Sequence, residues 1–114
     1  FGFVVVEPLS PEEVAELFGA AAPAFREPNV GRKLRNAYRH AGLTDVKVEI
    51  TVAPDPKGNL RGVLENMLGY GTRFGRMTEA RADELRARLD AAIAAGEFLM
   101  ALPQWWVRGT KPTD

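Results

Sequence analysis

Phe3-Val4-Val5-Val6 is a short unbroken apolar run rich in β-branched residues. Such a run reads as a strand buried on both faces, the habit of parallel sheets, and Glu7-Pro8 ends it. Ser10-Pro11-Glu12-Glu13 predicts a helix start, with Ser10 as cap, Pro11 at the first helical position and Glu13 completing a capping box. Val14, Leu17 and Phe18 form its apolar stripe, and Pro23 and Pro28 bound the loop that follows. A second helix opens at Asn29 or Val30, with Leu34, Ala37, Tyr38 and Ala41 on one face and Gly42 placed to end it. Val46, Val48, Ile50 and Val52 alternate with Lys47, Glu49 and Thr51, the period of a strand with one wetter face. A turn over residues 54–59 leads to a helical stripe of Leu60, Val63, Leu64, Met67 and Leu68. Gly69, Gly71 and Gly75 are expected to loosen the chain there. Thr78 caps a longer helix whose buried side is Leu85, Leu89, Ala92 and Ile93, stopped by Gly96. Residues 98–107 read as a last strand; Pro103 is at odds with a central position, which either a bulge there or a strand starting at Gln104 would reconcile.

Composition narrows the classes. The 114 residues contain no repeat, low-complexity tract or linker and are read as one unit, 1–114. Apolar residues make up 46%, which excludes intrinsic disorder. Fifteen basic and fifteen acidic side chains cancel, which argues against nucleic acid or an anionic membrane as partner. No apolar run is long enough to span a bilayer. With no cysteine and one histidine, neither a thiolate nor a histidine metal cluster is available. The chain opens on Phe1-Gly2-Phe3 without an initiator Met or a basic leader, so the expectation is a soluble, cytoplasmic protein whose N-terminus lies upstream.

Candidate chemistry is sparse. No phosphate-binding loop or catalytic triad signature is present. His40 closes a basic helix, where its charged form favours the negative pole. Arg32, Lys33, Arg35 and Arg39 read as a solvated face rather than a phosphate site. Gly69-Tyr70-Gly71-Thr72-Arg73-Phe74-Gly75 reads equally as a mobile lid bringing Tyr70, Arg73 and Phe74 to a ligand or as an irregular helix end. Adjacent Trp105 and Trp106 point to opposite faces of a strand, one packed and one partly exposed. Glu7 ends a strand where open α/β sheets place functional groups, although an ordinary turn carboxylate fits as well.

The order of elements, with the segments NVGRKLRNAYRHAGLTDVKVEI and GEFLMALPQWWVRGTKP, resembles the C-terminal half of class I S-adenosylmethionine-dependent methyltransferases. It looks most like the small-molecule group that includes the ubiquinone/menaquinone methyltransferases. In that family a strand ends in an acidic residue and proline, like FVVVEP here. A helix ending in Ala-Gly-Leu leads to the sixth strand, and the seventh ends in Gly-x-Lys-Pro, like Gly109-Thr110-Lys111-Pro112. The resemblance spans essentially the whole chain. It implies an α/β fold, a partial Rossmann-like sheet. Residues 3–7, 98–108 and 45–52 would lie side by side in the order fifth, seventh, sixth, with the last strand antiparallel. It also implies that S-adenosylmethionine is bound by an N-terminal half not contained in these residues, and that this half alone is inactive. The retained half would supply walls of the acceptor pocket from residues 7–29 and 59–77. Glu7, Met67, Tyr70, Arg73 and Phe74 are the substrate-side candidates, and no general base can be assigned.

The alternative is a non-enzymatic α+β module that dimerises or binds an apolar ligand through the Gly/aromatic segment. On the methyltransferase reading the strand of residues 3–7 lacks its fourth-strand neighbour, so its three valines make an unprotected edge, which predicts a homodimer joined through or near residues 3–7 or by exchanged elements.

Overall fold

A computed structural model describes residues 3–113. Strand β1 (Val5–Glu7) precedes helix α1 (Pro11–Ala21), a 3₁₀ turn (Ala22–Ala24) and helix α2 (Val30–His40). Strands β2 (Thr44–Thr51) and β3 (Pro54–Asp55) follow, then helices α3 (Arg61–Arg73) and α4 (Glu79–Ala95), and strands β4 (Leu99–Ala101) and β5 (Gln104–Thr110) close the chain. The boundaries follow local chemistry. Ser10 Oγ accepts from Glu13 N–H while Glu13 Oε1 accepts from Ser10 N–H, so the capping box is complete. Thr78 caps α4 through Arg81 N–H, and Gly96, at φ 72°, supplies the left-handed stop.

The architecture is mixed α/β, with four helices and two small antiparallel sheets. One sheet has the order β1-β4-β3, and β2 and β5 form the other. This corrects the expectation of a single Rossmann-like sheet in the order fifth-seventh-sixth. No pair among the described strands is parallel, and the closing segment is two strands rather than one. The cause is local: Pro103 has no N–H to give a ladder, so pairing stops at Ala101 and resumes at Gln104. β1 is also not buried on both faces. Val6 is buried, while Val5 and Glu7 are exposed, because only one side of this sheet is covered.

The core lies between that covered side and three helices. Val6 and Met100 from the sheet, Leu17 and Phe18 from α1, Leu64 and Leu68 from α3, and Leu85 and Leu89 from α4 are all buried. Around it, arginines of α4 fasten the other two helices. Arg81 and Arg88 donate to Glu13 of α1, and Arg86 donates to Glu65 of α3, which Arg61 also reaches. The Arg88 guanidinium and the Ser10 N–H hold the Glu13 carboxyl down at about 2. Arg86 and then Arg61 do the same for Glu65. By contrast α2, β2 and β5 contain no buried residue. α2 lies over a two-stranded sheet, which is too narrow to enclose a core of its own.

Glu13 is the residue where cap and clamp coincide. Glu13→Gln is expected to lower stability by about 2 kcal/mol, as for loss of hydrogen bonds to charged partners. Its folded pKa is depressed from 4.5, so its contribution is full above about pH 4.5 and is lost as the pH falls toward 2. Denaturant melts at pH 7 and at acid pH should show the gap between wild type and Glu13→Gln closing over that window.

Candidate functional site

The two segments expected to form pocket walls do meet. α1 and the 3₁₀ turn pack along α3, and Phe25, just past the turn, sets its ring edge-on to Tyr70 at 5.8 Å. One turn further along α3, the Arg73 guanidinium lies 6.0 Å from the centre of the Tyr70 ring, within reach of a cation–π contact. Phe74, the C-cap of α3, is exposed beside them. The arrangement offers an aromatic pair and a cation at the surface, suited to flat or anionic groups.

Met67 and Glu7 do not join this cluster. Met67 faces inward and belongs to the core. Glu7 stands on β1 opposite Leu99, in a strand that packs on β4 and α1. The segment 69–75 is also not a loop. α3 continues to Arg73, and Gly75, at φ 68°, marks the turn after it. Of the two open readings, the helix end is the one found. Gly69 lies on the open side of α3, while at Gly71 a Cβ would stand 3.2 Å from the Ala20 Cβ. Gly71 therefore sets the close approach of α1 and α3.

A concavity elsewhere was not anticipated from sequence. A groove of about 550 Å³ runs between Phe3 and Val4, the start of α2, and the interruption at Leu102, Pro103 and Trp105. Its walls are apolar, and Arg32 is the charged residue among those lining it. A signal for it exists at Gly31, where a Cβ would come within 2.7 Å of the Trp105 ring. The glycine brings α2 down onto that indole, and the groove opens beside the contact. Trp105 and Trp106 do point to opposite faces: Trp106 is 58% exposed and donates its indole N–H to Thr51 Oγ1 at 3.0 Å.

The remaining candidates have structural surroundings. His40 and Arg39 end α2 in solvent, and Lys33 pairs with Glu27 at 3.0 Å. Asp55, the second residue of β3, is buried. Burial pushes its carboxyl up, but backbone N–H groups from Leu60, Asn59, Lys57 and Gly58 outweigh this and hold it below the usual range. It shapes the turn into α3. The carboxylates with shifted titration pair with cations or accept backbone bonds, and none lies in the aromatic cluster or the groove. Among the described residues no cluster of His, Cys, Asp and Glu could hold a metal ion. No family model, curated protein or solved structure matches the chain.

If 69–75 is helix, alanine should suit one glycine there and a bulky side chain should disrupt the other. Gly69→Ala is expected to stabilise by up to about 1 kcal/mol through helix propensity. Gly71→Val should cost about 1–3 kcal/mol by forcing α1 and α3 apart. Thermal melts of the two variants read this directly, and a destabilising Gly69→Ala would contradict the helical assignment.

Proposed function

We propose that this chain is the acceptor-side portion of an S-adenosylmethionine-dependent methyltransferase acting on a small molecule in the cytoplasm. The observation that carries the reading is the meeting of residues 7–29 with 59–77 at Phe25, Tyr70 and Arg73, the two segments to which the resemblance assigns the acceptor.

The described residues do not fit the cofactor itself. A nucleotide-like ligand needs a glycine-rich turn between a parallel strand and a helix N-terminus, and every strand pair here is antiparallel. The chain's own work is therefore positioning. Tyr70 and Phe74 give flat apolar contact to an acceptor and Arg73 neutralises an anionic group on it. Holding a nucleophile in place is a large part of the catalysis of a group transfer. No described side chain is placed as a general base.

Two titrations test the reading. The 114-residue chain should show no micromolar affinity for S-adenosylmethionine by calorimetry, whereas the protein translated from the complete reading frame should bind it. That longer protein should transfer labelled methyl to small phenol or quinol acceptors, and Tyr70→Ala with Phe74→Ala should raise the acceptor KM several-fold with cofactor affinity unchanged. Failure of the longer protein to bind the cofactor would overturn the proposal. A second reading, a non-enzymatic ligand-binding module, has its support in the apolar groove beside Trp105. It predicts that an apolar fluorescent probe is held there, with Trp105→Ala releasing it.

A further inference from the structure

The groove beside Trp105 has the size of a small-molecule site: its volume of about 550 Å³ falls within the roughly 300–1,000 Å³ usual for such sites. Val4, Val30, Leu34 and Leu102 give it aliphatic walls, and Phe3 and Trp105 add two rings. The walls are held in place from outside the groove. Val4 and Leu102 pack against the core, and Gly31 seats α2 directly on the Trp105 indole. The two rings stand 6.1 Å apart at 38° to each other, so they form no parallel slot in which a flat ligand could stack on both. A flexible hydrocarbon chain can follow such walls and asks nothing polar of them. Phe3 and Val30 are left 64% and 51% exposed, and a chain lying in the groove would cover them.

Charge at the groove has one sign. Arg32 is the charged residue of the lining, and no carboxylate is among it. Among the described residues Arg32 has no ion-pair partner. Glu27, the acidic residue nearest to it in sequence, is taken by Lys33 Nζ at 3.0 Å and by Asn29 N–H at 3.1 Å. The first turn of α2 carries no acidic side chain either. Arg32 is exposed, so an anion can meet its guanidinium without either charge being buried.

We infer that the groove binds an aliphatic carboxylate, its hydrocarbon chain along the walls beside Trp105 and its head on Arg32. A guanidinium presents paired N–H donors that match the two oxygens of a carboxylate, and the apolar walls exclude a ligand that is polar along its length. Formal net charge is zero, so a preference for an anion has to arise at Arg32 and not from the field of the whole chain. The inference rests on the ligand-binding reading of this groove, to which it adds the class of ligand, and not on the methyltransferase reading.

Calorimetric titration of the 114-residue chain with octanoate, octanol and octylammonium compares three head charges on one hydrocarbon chain. Octanoate should bind roughly tenfold tighter than octanol, as for a hydrogen bond to a charged partner, and octylammonium should bind most weakly. Arg32→Gln should remove the advantage of octanoate and leave octanol binding unchanged, and Arg32→Glu should make octylammonium the preferred probe. Neither variant breaks a native ion pair. Arg35→Gln, on the same helix but outside the groove lining, should alter none of the three. With Trp106→Phe, Trp105 is the remaining indole, and its fluorescence should change with octanoate at the calorimetric Kd. Octanol bound as tightly as octanoate, or octanoate binding indifferent to Arg32→Gln, would overturn the inference while leaving the ligand-binding reading in place. Naphthoate bound more tightly than octanoate would overturn the aliphatic assignment, and a chain that takes up none of these probes would overturn both the inference and that reading.

Discussion

Residues 99–110 pair with three other segments, and the rest of the molecule is arranged by them. Their first half, β4, lies between β1 and β3 and lays Met100 against the helices. Their second half, β5, pairs with β2 over Gln104–Thr110 and receives α2. Pro103 divides the two. With no N–H to offer at that position, the ladder must break, and the two halves belong to different sheets. The groove beside Trp105 opens at that interruption, so one imino acid accounts for both the sheet division and the concavity next to it.

Packing is unequal on the two sides of the break. On the β4 side, leucines of α1, α3 and α4 are fully buried and the α4 arginines bind carboxylates on both neighbouring helices. Each of those ion pairs is partly exposed and modest alone. Glu13 joins a helix cap to two arginines, which makes the α1–α4 contact a network rather than a lone pair. On the β5 side nothing is fully buried. The exposed apolar residues of that side and the Phe25–Tyr70 cluster therefore belong to different parts of the molecule.

Much of the local structure was legible in the sequence because its causes are local. Ser10 with Glu13, Thr78 and Gly96 each act within a few residues, and each appears as read; the alternation from Val46 does give a strand, but β2 ends at Thr51 and Val48, Ile50 and Val52 stay exposed. The opposite facing of Trp105 and Trp106 follows from strand geometry alone. The failures are tertiary. Gly69 and Gly71 argue against helix by propensity, but the approach of Ala20 makes the small residue at 71 a packing requirement, and α3 runs through. Strand pairing depends on contacts nearly a hundred residues apart, so Pro103 could be seen as a difficulty while the two-sheet solution could not. Of the candidate site residues, Tyr70 and Arg73 share a surface with Phe25, whereas Met67 is core, since helical spacing serves core and site alike. The groove carried only the trace left by Gly31.

A boundary at Pro103 divides a cored part of the molecule from an uncored one. Native-state hydrogen exchange resolved to single amides reads it most directly. Amides of α1, α3, α4 and β4 should exchange only through global unfolding, while those of β5, β2 and α2 exchange through a separate, less costly opening, with the change falling between Ala101 and Gln104. A single level of protection running unbroken across residues 99–110 would contradict it.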